Sequence, residues 1–355
     1  MKTSAQNIPK SKNQLQILDV DKKFRPQNRR YLGNKYKLLK FIEEIVDEEC
    51  GKFTSFCDIF AGTGVVGMHF NSNEKEIVFN DFLASNNVCL STFFNTNFDY
   101  KDEVSRHIND LNNLNSVRSN YVSKHFGGRY FSEKNAKKIG LIREEIHELS
   151  LSDQIKNILL CSLLYAADKV ANTVGHYDAY RKKMDSNKAL ELLIPEIKWR
   201  KNKNNKVYKA DSNQLVSSLS CDVIYIDPPY NSRQYSDTYH ILENITDWQK
   251  PEVHGIGKKM DRSHIKSDYC LANATEVFAD LIGKVDSKHI LLSYNSTGDS
   301  KVSRSNARIA DEDILRILKE KGDVTVYEKE YSEFTTGKSK QGDHSERVFY
   351  CKTNK

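Results

Sequence analysis

The sequence predicts an α/β fold, a doubly wound sheet, and three stretches carry the prediction. "FTSFCDIF" (53–60) is a short apolar strand that runs into the glycine-rich turn "AGTGVVG". "KEIVFND" (75–81) is a second strand ending in polar residues, and "CDVIYIDPPY" (221–230) is a third, ending in an acid, two prolines and an aromatic. Strand, glycine turn, helix and strand is how a sheet wound in both directions begins.

The first thirty residues are polar and basic and lack the apolar centre of a secretory signal. They read as an arm over 1–29. Residues 35–48, "KYKLLKFIEEIVDE", place apolar side chains at 38, 39, 41, 42, 45 and 46, which is helical spacing. After the second strand the rhythm breaks. Residues 100–206 read as mainly helical, with 152–172 the strongest amphipathic stretch. The α/β rhythm then resumes with "KVYKADSNQLVSSL", "CDVIYIDPPY" and "KHILLSYNS". A helix, "DEDILRILKEKG", precedes "DVTVYEKEYSEF" and "ERVFYCKT", which suit an antiparallel hairpin on a sheet edge. The polar loop between those two runs, 335–344, reads as mobile. One α/β domain over 30–99 and 207–355, interrupted by an insertion at 100–206, accounts for the order of elements.

Composition narrows the function classes. The chain has 355 residues, 38% of them hydrophobic, and no run approaches eighteen consecutive apolar residues, so no membrane span is expected. Its seven cysteines form no CxxC pair, which argues against a structural zinc site, and their odd count fits a reducing cytoplasm. The net charge is +6, and residues 101–206 alone carry 20 Lys+Arg against 13 Asp+Glu. A basic insertion in a near-neutral frame predicts a polyanionic partner.

Gly62 and Gly64 sit where a strand turns into a helix, and glycine there lets backbone N–H groups approach a ligand. No G-K-[ST] follows, so the turn is not a phosphate-cradling P-loop. Asp81, at the tip of the next strand, is placed to accept the two hydroxyls of a ribose, and Phe79 or Phe82 to flank an adenine. NAD and S-adenosylmethionine (SAM) both fit this half of the pattern. The third strand separates them. Prolines fix φ and remove donors, which leaves acceptors at the sheet lip. An exocyclic amine such as adenine N6 has its lone pair delocalised into the ring and needs acceptors for both its hydrogens. The Asp227 carboxylate and the Pro228 carbonyl supply two, and Tyr230 offers a stacking face.

"DPPY" together with "FAGTG" resembles the SAM-dependent DNA N6-adenine methyltransferases of the Dam-like group, and the likeness runs in order from 30 to 350. "RYLGNKYKLL" (30–39) resembles that group's N-terminal SAM motif. "DIFAGTGVVG" resembles its methionine-binding turn, "FND" its ribose-binding acid and "VYKADS" its acid facing the cofactor or base pocket. The resemblance implies a Rossmann-like class I SAM-methyltransferase sheet with a C-terminal antiparallel strand, and makes 100–206 the target-recognition segment. It implies that Tyr31, Lys35, Asp58, Phe60, Gly62, Gly64, Asp81, Phe82 and Asp211 serve the cofactor, Lys35 through the methionine carboxylate. Asp227, Pro228 and Tyr230 would act on the target base, without a metal.

Reaching N6 inside duplex DNA requires flipping the base out. Asn172, His176, Tyr177, Tyr180, Arg181 and Lys182, where a helix ends in "ANTVGHYDAYRKK", are the candidate DNA contacts, with Arg233 beyond the catalytic loop. The loop 249–269 and the segment 126–135 are further candidates. The resemblance implies a restriction–modification setting with a cognate endonuclease, and a monomer, with a dimer as the alternative. An RNA adenine methyltransferase and an inactive nucleic-acid-binding protein on the same fold are the competing readings.

Overall fold

The computed structural model describes residues 23–115, 117–184, 188–198, 204–295, 307–330 and 345–355. The stretch 1–22 of the expected arm and the 335–344 loop lie outside these residues. Within them the elements run in chain order. First come β1 (Lys23–Phe24), α1 (Leu39–Glu49), β2 (Ser55–Asp58), α2 (Val65–Phe70), β3 (Glu76–Asn80) and α3 (Ala84–Phe94). The inserted stretch holds α4 (Lys101–Asn113), α5 (Tyr121–Phe126), α6 (Glu133–Glu148), α7 (Asp153–Val170) and β4 (Ile194–Pro195). Then follow β5 (Lys206–Tyr208), α8 (Ser212–Leu215), β6 (Cys221–Ile226), α9 (Tyr235–Thr238) and α10 (His240–Asp247). The chain ends with α11 (Ala274–Lys284), β7 (Ser287–Ser293), α12 (Asp311–Lys319), β8 (Gly322–Glu330) and β9 (Ser345–Thr353).

Seven strands form one sheet in the order β5-β3-β2-β6-β7-β9-β8. The strands from β5 to β7 are mutually parallel, and β9 runs antiparallel to both β7 and β8. The expected C-terminal hairpin is therefore present, with its second strand slotted inside its first. The inner strands β2, β3, β6 and β7 are mostly apolar and buried because both faces of the sheet are covered there. Along β6, Val223 and Tyr225 join the core shared with α1, α3 and the inserted helices, while Ile224 and Ile226 join the core under α11 and α12.

The inserted helices share one apolar cluster with the sheet. Phe24, Phe93 of α3 and Tyr165 of α7 pack ring against ring, with Phe24 and Tyr165 centroids 4.3 Å apart. This corrects the arm drawn over 1–29. Phe24 is buried, β1 pairs with β4, and the Arg29 guanidinium is buried beside Asp168 at 3.5 Å. Residues 23–29 belong to the body because an apolar ring and a paired cation are held there. Among the described residues no helix is long and apolar enough to cross a membrane.

Candidate active site

The chain leaves β2 for β3 on one side and returns to β6 on the other, so a crevice opens at the carboxyl ends of these strands, where such sheets bind ligands. A cavity of about 530 Å³ lies there, inside the range of small-molecule sites.

The glycine turn forms one wall. Gly62 and Gly64 adopt φ of +54° and +75°, which side chains resist. A Cβ on Gly62 would meet the Tyr31 ring at 3.0 Å, and one on Gly64 would meet Leu90 and Phe94 at 2.6 Å. Gly62 therefore lets Tyr31 approach the turn, while Gly64 lets α3 pack beneath it. The Asp58 carboxylate accepts the Gly67 N–H at 3.0 Å. Asp81 accepts the N–H of Gly62 and of Leu83, and the Asn86 side chain, all at 2.9 Å. Both acids line the cavity. Burial pushes the Asp58 carboxyl up to about 7, against the Gly67 N–H, and burial likewise raises Asp81.

Tyr31 stacks on Tyr239 with centroids 4.7 Å apart, and Tyr235 lies behind it. Tyr235 and Tyr239 stand four apart, so they share a helix face, and the Leu32 backbone is held between their hydroxyls. Phe60 and Phe82 line the cavity, Phe60 edge-on to Tyr269. Asp211 also lines it while capping α8 through the Gln214 N–H.

At the end of β6, Lys35, expected to serve the methionine carboxylate, meets Asp227. The Lys35 ammonium lies 3.1 Å from Asp227, the two side chains 8% and 18% exposed. Burial, the largest single influence, would lower Lys35, but the charge and hydrogen bond of Asp227 together with Glu346 and Tyr230 outweigh it and the amine is raised. Burial pushes Asp227 up to about 6, and Lys35 holds it below that effect's full reach. Asp227 and Pro229 line the cavity. Pro228 is buried and Tyr230 half-buried, and neither lies on that wall. The Tyr230 ring stands edge-on to Tyr294, and its carbonyl accepts the Arg308 N–H.

Seven acids and three lysines line the cavity, a balance that suits a cationic ligand. SAM carries a sulfonium and an ammonium, and the aromatic rings beside Asp81 suit its adenosine. The residues present fit that cofactor.

The expected DNA contacts divide. Asn172 is buried, and its amide donates to the carbonyls of Arg129 and Arg181 at 2.9 Å each. Tyr177 is buried, its hydroxyl donating to Asp168 at 2.8 Å. Both are corrections: these polar groups face inward because they close the helix end on the core. His176 and Tyr180 are half-buried, while Arg181, Lys182 and Arg233 are exposed.

Two buried groups escaped the sequence reading. Glu243 of α10 accepts the N–H groups of Ala84 and Ser85, both at 2.8 Å, and so caps α3 behind Asp81. Arg29 donates to Asn86 at 2.7 Å and lies over the Tyr31 and Tyr239 rings. Nothing local marks either partner, since each lies more than fifty residues away.

Residues 31–304 match the model of the D12 class N6 adenine-specific DNA methyltransferase family. The type II methyltransferase M.NlaIII of Neisseria lactamica is 32% identical over 88% of this chain and 95% of its own length. The modification methylases StsI of Streptococcus sanguinis and LlaI of Lactococcus lactis subsp. lactis are 33% and 31% identical over 90% and 92% of this chain. The chain spans 51% and 55% of those two longer proteins. Family match, glycine turn and catalytic lip agree, and the chain belongs to the D12 class N6 adenine-specific DNA methyltransferases.

Proposed function

We propose that the protein methylates one adenine flipped out of duplex DNA, as the modification enzyme of a restriction–modification system, and that the residues around the cavity carry the reaction. The observation that carries this reading is that Asp227, the Gly62 turn and Asp81 open on one cavity.

The bound cofactor supplies an electrophilic methyl group on a sulfonium. The glycine turn and Tyr31 hold its methionine end, and Asp81 holds its ribose. Asp211 and Phe82 flank its adenine. The acids of the wall balance its positive charge. Asp227 accepts a hydrogen from N6 and so keeps the amine's electron density on nitrogen; it is also the group placed to take the departing proton. Lys35 keeps Asp227 ionised in a buried setting. Preorganised acceptors of this kind reorganise little during reaction, which is where much of the rate comes from. Tyr230, beside this wall, swings or stacks against the extruded base. The insertion over 100–206, with Arg181 and Lys182 exposed at its loop, supplies phosphate contacts.

Incubating unmethylated duplex DNA with the protein and SAM, followed by sequencing that detects modified bases, tests the reading. N6-methyladenine confined to one short sequence is the expected result. An unmodified duplex, or methylation of every adenine, would overturn it. A nuclease encoded beside this gene that cuts the same sequence would establish the companion.

A further inference from the structure

We propose that Ile256 is the wedge that enters the DNA base stack as the target adenine leaves it. The proposal rests on the duplex-DNA reading above and deepens it.

Ile256 is 83% exposed, although it is a branched apolar residue. It stands at the tip of a tight hairpin closed by His254 and Lys259, whose backbones exchange N–H···O bonds of 2.9 and 3.0 Å. Gly255, at φ +67°, lets the chain reverse there. The Tyr130 hydroxyl donates to the Gly257 carbonyl at 2.9 Å and anchors the hairpin to the inserted segment. An apolar side chain is thus held out into water on a braced loop, with no packing gained from it.

The hairpin is also tied to the catalytic lip. Lys259 bonds Asp178 at 2.9 Å and lies 3.7 Å from Asp237, and Arg262 bonds Asp237 at 2.6 Å. Asp237 belongs to α9, in the segment that continues from Asp227. Further along the same loop, Ser267 and Gln234 exchange hydrogen bonds of 2.8 and 2.9 Å, and both line the cavity. The tip and the site of chemistry therefore share one braced segment.

Lys258 and Lys259 stand beside the tip in the same hairpin, Lys259 paired with Asp178 and near Asp237. Lys124 of the inserted segment lies close enough to act, with Lys258, on the His125 imidazole, which burial lowers first. The loop that holds Asp178 continues into exposed Arg181 and Lys182. An apolar tip among cations matches a polyanion with an apolar interior, which is what a base-paired stack is. Removing a base from the stack leaves a gap, and an inserted aliphatic side chain fills it and blocks the base's return.

The test uses duplex oligomers carrying the site found by modified-base sequencing. One has the target adenine paired with thymine; in the other it faces a mismatch, which lowers the work of extrusion. Single-turnover methylation by Ile256→Ala should fall about ten- to a hundredfold on the paired duplex and less than about threefold on the mismatched one. Ile256→Leu should stay within about threefold of wild type on both. SAM affinity and melting temperature should not change in either variant. Val174, in the loop that also holds Asp178, is another exposed apolar residue. Equal losses on the two duplexes, no loss on either, or the mismatch-rescued loss in Val174→Ala instead, would overturn the wedge. Failure of the wild-type protein to methylate any duplex would bring down the functional reading, and the wedge with it.

Discussion

Lys35 and Asp227 form a buried ion pair, 3.1 Å from ammonium to carboxylate, between the segment before α1 and the end of β6. An acid at a sheet lip is expected to matter for chemistry and little for the fold; this pair alters that expectation. Asp227→Ala removes an acceptor aimed at N6 and should cost about a hundredfold or more in single-turnover rate. It also strands a buried cation, so the variant should lose about 3 kcal/mol of stability. The double variant Lys35→Met, Asp227→Ala should recover much of that stability and none of the activity. Urea unfolding that finds the single variant as stable as wild type would show that the pair does not hold the lip.

The same pair sets the acid limb of activity. Asp227 is pushed up to about 6, so its carboxylate is progressively protonated as the pH falls below that value. A protonated Asp227 cannot accept the N6 hydrogen. The methylation rate under single-turnover conditions should therefore fall about tenfold per pH unit below about 6. Removing the Lys35 charge by Lys35→Met raises the Asp227 pKa further and moves the limb to higher pH. A limb that stays in place in this variant would assign it to another group.

The legibility of the fold followed from local signals. The strands over 53–60, 75–81 and 221–230 are apolar runs with turn residues at their ends, and β2, β3 and β6 lie inside them. The cavity wall was legible for a related reason: Gly62, Asp81 and Asp227 each end or follow a strand. What stayed hidden depends on distant partners. The Lys35–Asp227 and Arg29–Asp168 pairs join residues far apart in the chain, as does the Glu243 cap on α3. Polar residues at the end of α7 looked like a binding surface because composition does not tell a satisfied inward amide from an outward one. Asn172 and Tyr177 are of the first kind.

That distinction divides the mutants. Arg181 and Lys182 are exposed, so replacing both with Ala should weaken DNA binding and flatten its salt dependence by about one unit of slope per lost phosphate contact. The melting temperature should hold. Tyr177→Phe leaves Asp168 without its hydroxyl donor in a buried site and should cost about 1–2 kcal/mol of stability, with the salt slope unchanged. Finding the slope change in Tyr177→Phe and the stability loss in the double variant would reverse the assignment of the two faces.

Asp58 tests whether the cavity wall trades stability for binding. Its carboxylate is 1% exposed and accepts the Gly67 N–H at 3.0 Å. Burial pushes it up to about 7, with the charges of Asp227 and Asp81 adding to the rise, from 3.8 for the unburied group. A raised folded pKa means that the native state binds the proton more readily than the unfolded chain. The group's favourable contribution is complete below about 4 and is lost as the pH climbs to about 7, where the native state must hold a buried charge. Asp58→Asn keeps an oxygen for the Gly67 N–H and removes that charge. The variant should melt about 2–5 °C above wild type at pH 8, and the gain should shrink toward zero as the pH approaches 4. SAM binding should weaken at pH 8, because a cationic cofactor loses one of its balancing acids. A melting gain that is the same at pH 5 and pH 8, measured by calorimetry, would mean that Asp58 is not the group that titrates.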